Sequence, residues 1–307
     1  MASLRYDGIS GTMKPAQFDY AVPNTVEEAA RLLAESNGDG KIIAGGQSLM
    51  PMINFRLVKP SILIDVNRIA GLNRIELVGK RVRIGATVRH HQTASDPLIA
   101  KHLPVVHDAM QHVAHVTVRN RGTFCGSVAH ADPAAEMPMV TRFLDGTIIA
   151  LSIRGERRIP AADFFVGSLV NSLEPDEMVL AVEIDVMPDE AGWGFEEFAK
   201  RHGDFALAAF AATLRMDNGR ARDVRIGMMG VGEVPLRLPE IEEILEETEL
   251  SQAVLQAVAE KLNDILTPNT DIHASADYRR HLSGVLAKRA LRSAWVRAGG
   301  RKEATNG

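Results

Sequence analysis

Apolar residues at Val26, Ala29, Ala30 and Leu33 recur at the spacing of one helical face. Thr25 stands just ahead of them, where an N-cap hydroxyl belongs. Gly38 and Gly40 end that run, and Lys41 to Ala44 reads as a short strand. A second strand, Ile62 to Val66, follows Pro60, and Glu76 to Gly85 alternates around Gly79 as a hairpin. Thr87 to His91 opens another helix. Leu103 to His115 reads as a single helix with Val106, Ala109, Met110 and Val113 on its apolar face. An apolar helix is expected around Met137 to Leu144, then a strand from Thr147 to Ser152 and a turn at Arg154-Gly155-Glu156. Leu180 to Val186 is a further strand. Later, Gly194 to Lys200 leads into two apolar runs, Leu207 to Met216 and Val224 to Val231. These flank Asp217-Asn218-Gly219, a strong hairpin signal. After Pro239 the pattern turns helical: Ile241 to Glu249, Ser251 to Leu266, and Tyr278 to Arg297.

Strands followed by helices predict an α+β chain, with helices on one side of a small C-terminal sheet. The polar stretch Asp189-Glu190-Ala191-Gly192, beside Pro188, is the expected boundary. It divides the chain into 13–188, itself in parts 13–66 and 67–188, and 192–298, with tails at 1–12 and 299–307, the latter expected to be disordered. At 307 residues and 46% hydrophobic, the chain can bury real cores. A net charge of −4 gives no basic footprint for nucleic acid. No apolar run approaches the roughly 20 residues of a membrane span, and the N-terminus has no signal core. A cytoplasmic protein is the expectation. Cys125 is the only cysteine. One thiol allows neither an intramolecular disulfide nor an iron–sulfur cluster, which takes about four.

Two stretches carry candidate chemistry. In the first, strand residues Ile42 to Ala44 run into Gly45-Gly46, and Ser48 follows. Adjacent glycines admit unusual backbone angles, and the N–H groups of such a turn can converge on an anion. The second runs from Thr117 to Pro138 and joins Gly122, Thr123, Gly126 and Ser127 to the acidic Asp132 and Glu136. A dinucleotide needs both kinds of contact, donors for its diphosphate and acceptors for its hydroxyls. An ordinary pair of turns is the plain alternative for each stretch alone. No catalytic triad, Walker lysine or Rossmann fingerprint appears, so no catalytic residue is assigned. His112, His115 and Asp108 share a face, but with no further ligand nearby they read as surface residues and no metal is expected.

Together the two stretches resemble the FAD-binding loops of the flavoprotein subunit of molybdenum hydroxylases. That family includes the medium subunit of carbon monoxide dehydrogenase and the flavin domain of xanthine dehydrogenase. The first follows the family pattern Ala-Gly-Gly-His-Ser-Leu-x-Pro, with Gln47 for the histidine. The second follows Arg-Asn-x-Gly-Thr-x-Gly-Gly, then Asp-Pro and an acid, with Cys125 for a glycine. The likeness runs from Pro15, Phe18 and Tyr20 to Tyr278, Arg279 and Leu291. It implies a two-part FAD-binding domain of the vanillyl-alcohol-oxidase type and a small C-terminal domain. It implies cofactor contacts at Lys41, Ile43, Ala44, Gly45, Gly46, Gln47, Ser48 and Leu49, and at Thr123, Phe124, Cys125, Gly126, Ser127, Asp132 and Glu136. Apolar contacts near the rings are implied at Val113 and Leu180, and Phe195 falls where the family places a tyrosine on the flavin face. The resemblance further implies an iron–sulfur small subunit and a molybdopterin large subunit as partners, in a dimer of heterotrimers. In that setting the chain passes electrons from the clusters to an outside acceptor. A self-sufficient FAD oxidoreductase of the same fold, or a scaffold without flavin, are the alternatives.

Three departures set further expectations. A Cβ at Cys125 stands where positive φ is anticipated, and its thiol is placed near the flavin. Gln47 keeps hydrogen-bonding capacity without a titratable group. Glu196 and Glu197 put carboxylates where xanthine dehydrogenase has a lysine, which would disfavour an anionic reduced flavin. Arg119 and Arg121 are candidates either for a partner-facing surface or for bracing the second stretch through Asp132.

Overall fold

A computed structural model describes residues 15–300. The 1–12 tail, the first residues of the lead-in and the tail beyond 300 lie outside the described residues. Nearest the N-terminus is a three-stranded parallel sheet. Its central strand, Ile62–Asp65, pairs with Asp19–Ala21 on one side and Gly40–Ile43 on the other. Parallel neighbours need a crossover, and the helix Val26–Glu35 supplies the first. Thr25 caps it, accepting from the Glu28 N–H at 3.2 Å.

The second sheet has five antiparallel strands in the order Ile75–Val78, Arg81–Gly85, Met178–Asp185, Thr147–Ser152, Gly155–Pro160. Met178–Asp185 is central and buried along nearly its whole length. One face, through Val182 and Ile184, joins the main core. The other, through Met178 and Ala181, joins a smaller core with Ala29, Leu33 and Ile64. The strand Gly155–Pro160 and the short hairpin Phe165–Gly167 with Val170–Asn171 were not anticipated from the pattern.

Two expectations along the helical stretch are corrected. The single helix over 103–115 is a helix Pro104–Met110, a break with Ala114 at φ 42°, and a short helix Val116–Arg119. Arg119 holds the break open by donating to the carbonyls of Val113 and Ala114, both at 2.8 Å. It therefore braces the chain through backbone oxygens, not through Asp132. The second stretch, expected as a loop with a glycine turn, is corrected too. Phe124–His130 is a helix capped by Thr123, whose hydroxyl accepts from the Gly126 N–H at 3.0 Å. Cys125 consequently has ordinary helical backbone, and the left-handed residue is Ala131 at φ 56°.

The last sheet is antiparallel, Gly192–Phe198, Ala208–Asp217, Arg220–Met229 and Leu236–Arg237. Asn218 and Gly219 have φ of 49° and 79°, the primed turn that Asn-Gly favours. The period of two separates its faces. Ala208, Phe210, Ala212 and Leu214 pack with the helices Pro239–Leu245, Gln252–Ile265 and Ala276–Arg297. Ala209, Ala211, Phe195 and Met229 point the other way, into the main core beneath the helix Glu136–Phe143. The approach is close there: a Cβ on Gly227 would lie 2.6 Å from the Cβ of Phe143. The C-terminal helices thus cover one face, as expected, while the preceding part of the chain covers the other.

Candidate cofactor-binding site

The strand Gly40–Ile43 ends at the carboxyl edge of the parallel sheet, where crevices in such sheets form. Gly45 is in direct contact with the second stretch. A Cβ on it would lie 2.6 Å from the Arg121 carbonyl oxygen and 2.8 Å from the Gly122 Cα. Gly46 has φ 69°, and a Cβ there would point at the side chains of Ile43 and Met50. Among the described residues, the N–H groups of Gly45, Gly46, Gln47, Ser48 and Leu49 donate to no protein acceptor. The Ser48 hydroxyl makes no cap hydrogen bond, and Gln47 folds back with Nε2 donating to the Gly45 carbonyl at 3.2 Å.

A chain of side chains that no motif announced joins the two stretches. Asn67 donates through Nδ2 to the Ala44 carbonyl at 2.8 Å and accepts from Arg89 Nη2 at 2.6 Å. Arg89 also donates through Nη1 to the Arg121 carbonyl. Asp65 anchors the other end, accepting from the Asn67 N–H at 2.9 Å and from the Tyr20 hydroxyl. Asp65-Val66-Asn67 offered the one local signal, an acid able to accept from the N–H two residues on.

Between the stretches lies a cleft of about 780 Å³. That falls in the range of roughly 300–1,000 Å³ typical of cofactor pockets. Lys41, Ile43, Ala44, Gly45, Gly46, Gln47, Ser48 and Leu49 line it from one side. Thr123, Cys125, Gly126, Ser127, Asp132 and Glu136 line it from the other, with Val113. Three of the anticipated contacts lie elsewhere. Phe124 is fully buried in the main core, because residues 124 and 128 of its helix turn inward while 126 and 127 turn to the cleft. Leu180 belongs to the small core behind the five-stranded sheet. Phe195 packs in the main core against His112, ring centroids 5.1 Å apart. Residues not anticipated complete the wall: His90, Asn171, and Gly203 to Phe205 reaching over from the last sheet. The free amides, the unpaired Ser48 hydroxyl and the glycine contact fit a dinucleotide diphosphate by their chemistry.

The family described as FAD binding domain in molybdopterin dehydrogenase matches residues 16–186. The chain belongs to that family. A second description, CO dehydrogenase flavoprotein C-terminal domain, matches residues 193–294. The nicotine 6-hydroxylase medium subunit of Paenarthrobacter nicotinovorans is 43% identical over 93% of this chain and 100% of that one. Quinoline 2-oxidoreductase from Pseudomonas putida 86 superposes with a TM-score of 0.89 at 37% identity, covering 93% of this chain and 99% of the matched one. Carbon monoxide dehydrogenase from Hydrogenophaga pseudoflava gives a TM-score of 0.90 at 33% identity, covering 92% and 99%. This is therefore an FAD-binding medium subunit of the molybdenum hydroxylases, an oxidoreductase component. No helix among the described residues is long and apolar enough to cross a membrane.

Electrostatics distinguish the residues of this flavoprotein's cleft. Burial pushes the Glu136 carboxyl up, and Asp132 adds to the effect. Behind it, burial and the neighbouring Glu136 push Glu197 up still further, and Glu197 Oε2 is enclosed without a hydrogen-bond partner. The pair therefore carries less than two negative charges near neutral pH. Glu196 and Glu197 do not line the cleft, so the anticipated pair of carboxylates at the flavin is not found there; burial pushes Glu196 up, with Arg289 and Arg297 opposing. Cys125 is 2% exposed, its thiol directed at the carbonyls of Ile84 and Gly85 at 3.3 and 3.5 Å. Burial raises it to about 12. It is a packed thiol at the floor of the site. Burial holds His130 down, with Asp132 opposing. No group of three or more potential metal ligands occurs among the described residues.

Proposed function

We propose that the cleft between the two stretches holds FAD non-covalently and that this subunit relays electrons from partner chains to an external acceptor. The observation that carries the reading is the direct contact of Gly45 with Arg121 and Gly122, which sets the free amides of residues 45–49 opposite the Thr123–Ser127 segment. The flavin supplies the electron-carrying chemistry. The chain supplies the rest. Residues 45–49 present donors to a diphosphate, Thr123 and Ser127 add hydroxyls, and Asp132 and Glu136 present acceptors. The segment at 203–205 adds to the lining of the cleft. With one thiol, the chain leaves iron–sulfur clusters to a small partner and molybdopterin to a large one. We read residues 13–188, in parts 13–66 and 67–188, as the FAD-binding unit and 192–298 as the second unit. We also place the complex in the cytoplasm, as a dimer of heterotrimers.

The substrate class of the complex is read as aromatic N-heterocycles. Identity is 43% to the nicotine hydroxylase subunit and 37% to the quinoline enzyme, against 33% to the carbon monoxide enzyme. The test is to purify the chain alone and with co-expressed partners, and to follow flavin absorbance anaerobically. Acid precipitation should release the flavin into the supernatant. Dithionite should bleach the lone chain, whereas quinoline or nicotine should bleach only the complex. Catalytic bleaching of the lone chain by such a substrate would overturn the relay reading.

A further inference from the structure

His90 begins the helix His90–Ser95 and lines the cleft, yet it is 5% exposed. The segment that bears it is laced to the second stretch. The His90 N–H donates to the Gly122 carbonyl at 3.0 Å, and the Phe124 N–H donates to the Val88 carbonyl at 3.0 Å. Gly122 rests on one edge of the ring: a Cβ there would lie 2.7 Å from Cδ2 and 3.1 Å from Nε2. The opposite nitrogen, Nδ1, is fully enclosed and has no hydrogen-bond partner.

Those facts select a tautomer. An enclosed N–H without an acceptor is rarer and more costly than an enclosed lone pair without a donor. The neutral ring therefore carries its proton on Nε2, the edge beside Gly122, and Gly122 is the residue that meets Gly45. Among the described residues, this donor at the junction of the two stretches has no protein acceptor to serve, and unlike Nδ1 it is not enclosed. We propose that His90 is a further cofactor-binding residue, its Nε2–H donating as a neutral ring to the diphosphate that bridges the two stretches. The inference rests on the reading that the cleft binds FAD.

The surroundings keep the ring neutral. Burial pushes the imidazole down to about 4, and the cationic Arg119, from the helix Val116–Arg119, and Arg89, beside His90, add to the effect. A second proton would have to sit on the enclosed Nδ1, which has no acceptor, so His90 serves the anion as a neutral donor.

The experiment uses the full chain stripped of flavin, titrated with FAD by fluorescence at pH 7.5, and the same chain with isotope-labelled histidine nitrogens, whose NMR spectrum identifies the protonated ring nitrogen. His90→Leu should weaken binding about tenfold or more, the scale of one hydrogen bond to a charged group. His90→Gln, whose side-chain amide keeps a donor, should stay near the wild-type affinity. In the wild-type spectrum His90 should be the neutral Nε2–H tautomer with and without FAD, its Nε2 resonance moving when FAD binds. Thermal unfolding of each stripped variant reports its fold, and if His90→Leu does not fold, His90→Gln and the wild-type spectrum decide. Unchanged affinity in folded His90→Leu, or an Nε2 resonance that FAD does not move, overturns the proposal while leaving FAD binding intact. A wild-type chain that takes up no FAD overturns the cleft reading and this inference together.

Discussion

Gly45→Ala is the smallest change that should separate the two stretches. The added Cβ would lie 2.6 Å from the Arg121 carbonyl oxygen, 2.8 Å from the Gly122 Cα and 3.1 Å from the Thr123 N, all of them backbone atoms. Ordinary contact begins near 3.4 Å, so the stretches must part by roughly 0.8 Å. A gap of that size forfeits a quarter to a half of the dispersion between the facing surfaces. Overpacking of this kind costs about 1–3 kcal/mol in the free protein. The shift also moves the free amides of 45–49 relative to Thr123 and Ser127. Losing one good hydrogen bond to a charged group costs about 1.5–3 kcal/mol. We therefore expect FAD affinity to fall by about 10- to 100-fold. The assay is fluorescence titration of stripped protein with FAD, beside thermal unfolding of the same sample. Gly46→Val is the informative contrast. Its Cβ would meet only the side chains of Ile43 and Met50 at 3.3 Å, but its φ of 69° is unsuited to a β-branched residue. It should lower stability and affinity together, whereas Gly45→Ala should weaken binding out of proportion to any loss of stability. Wild-type affinity in Gly45→Ala would show that the contact between the stretches is dispensable for binding.

Cys125 should resist iodoacetamide at pH 8 in the folded protein and react once the chain is unfolded, as mass spectrometry would show; rapid labelling of the folded chain would contradict its burial and its raised pKa. For Glu197 the folded carboxyl titrates above its unfolded value. The stability it permits is complete below about pH 4.5 and declines as pH rises through the folded titration. Glu197→Gln should match wild type near pH 4.5 and exceed it by about 1–3 kcal/mol at pH 9, measured by urea unfolding. Parallel pH profiles for the two proteins would mean that the carboxyl ionises freely.

What could be read from the sequence was local. The helix after Thr25 and the Asn218-Gly219 hairpin each depend on a few adjacent residues, and both form where the pattern put them. The first stretch was also legible, because consecutive glycines after a strand constrain the backbone directly. The second was misread in shape because Gly122, Gly126 and Ser127 suggested a turn, while Thr123 as a cap starts a helix. That helix then decides which neighbours face the cleft, which is why Ser127 lines it and Phe124 does not. Leu180 and Phe195 were placed by analogy, and their facing is set by strand register. Asn67 and Arg89 were invisible for a different reason. Their partners, Ala44 and Arg121, lie 23 and 32 residues away, and nothing in the local pattern specifies such pairings.

The last sheet's second face gives the polypeptide a hidden obligation. Met229, Ala209 and Ala211 are covered by the helix Glu136–Phe143, with Gly227 leaving room for Phe143. A cut at 189–192 would therefore strip an apolar surface from each fragment instead of freeing two independent modules. Anyone building chimeras among relatives of this family should exchange the helix at 136–143 together with the strands that rest on it. A crossover placed in the polar linker alone would set Phe143 against whatever residue a relative carries at position 227, where even a methyl group is too large.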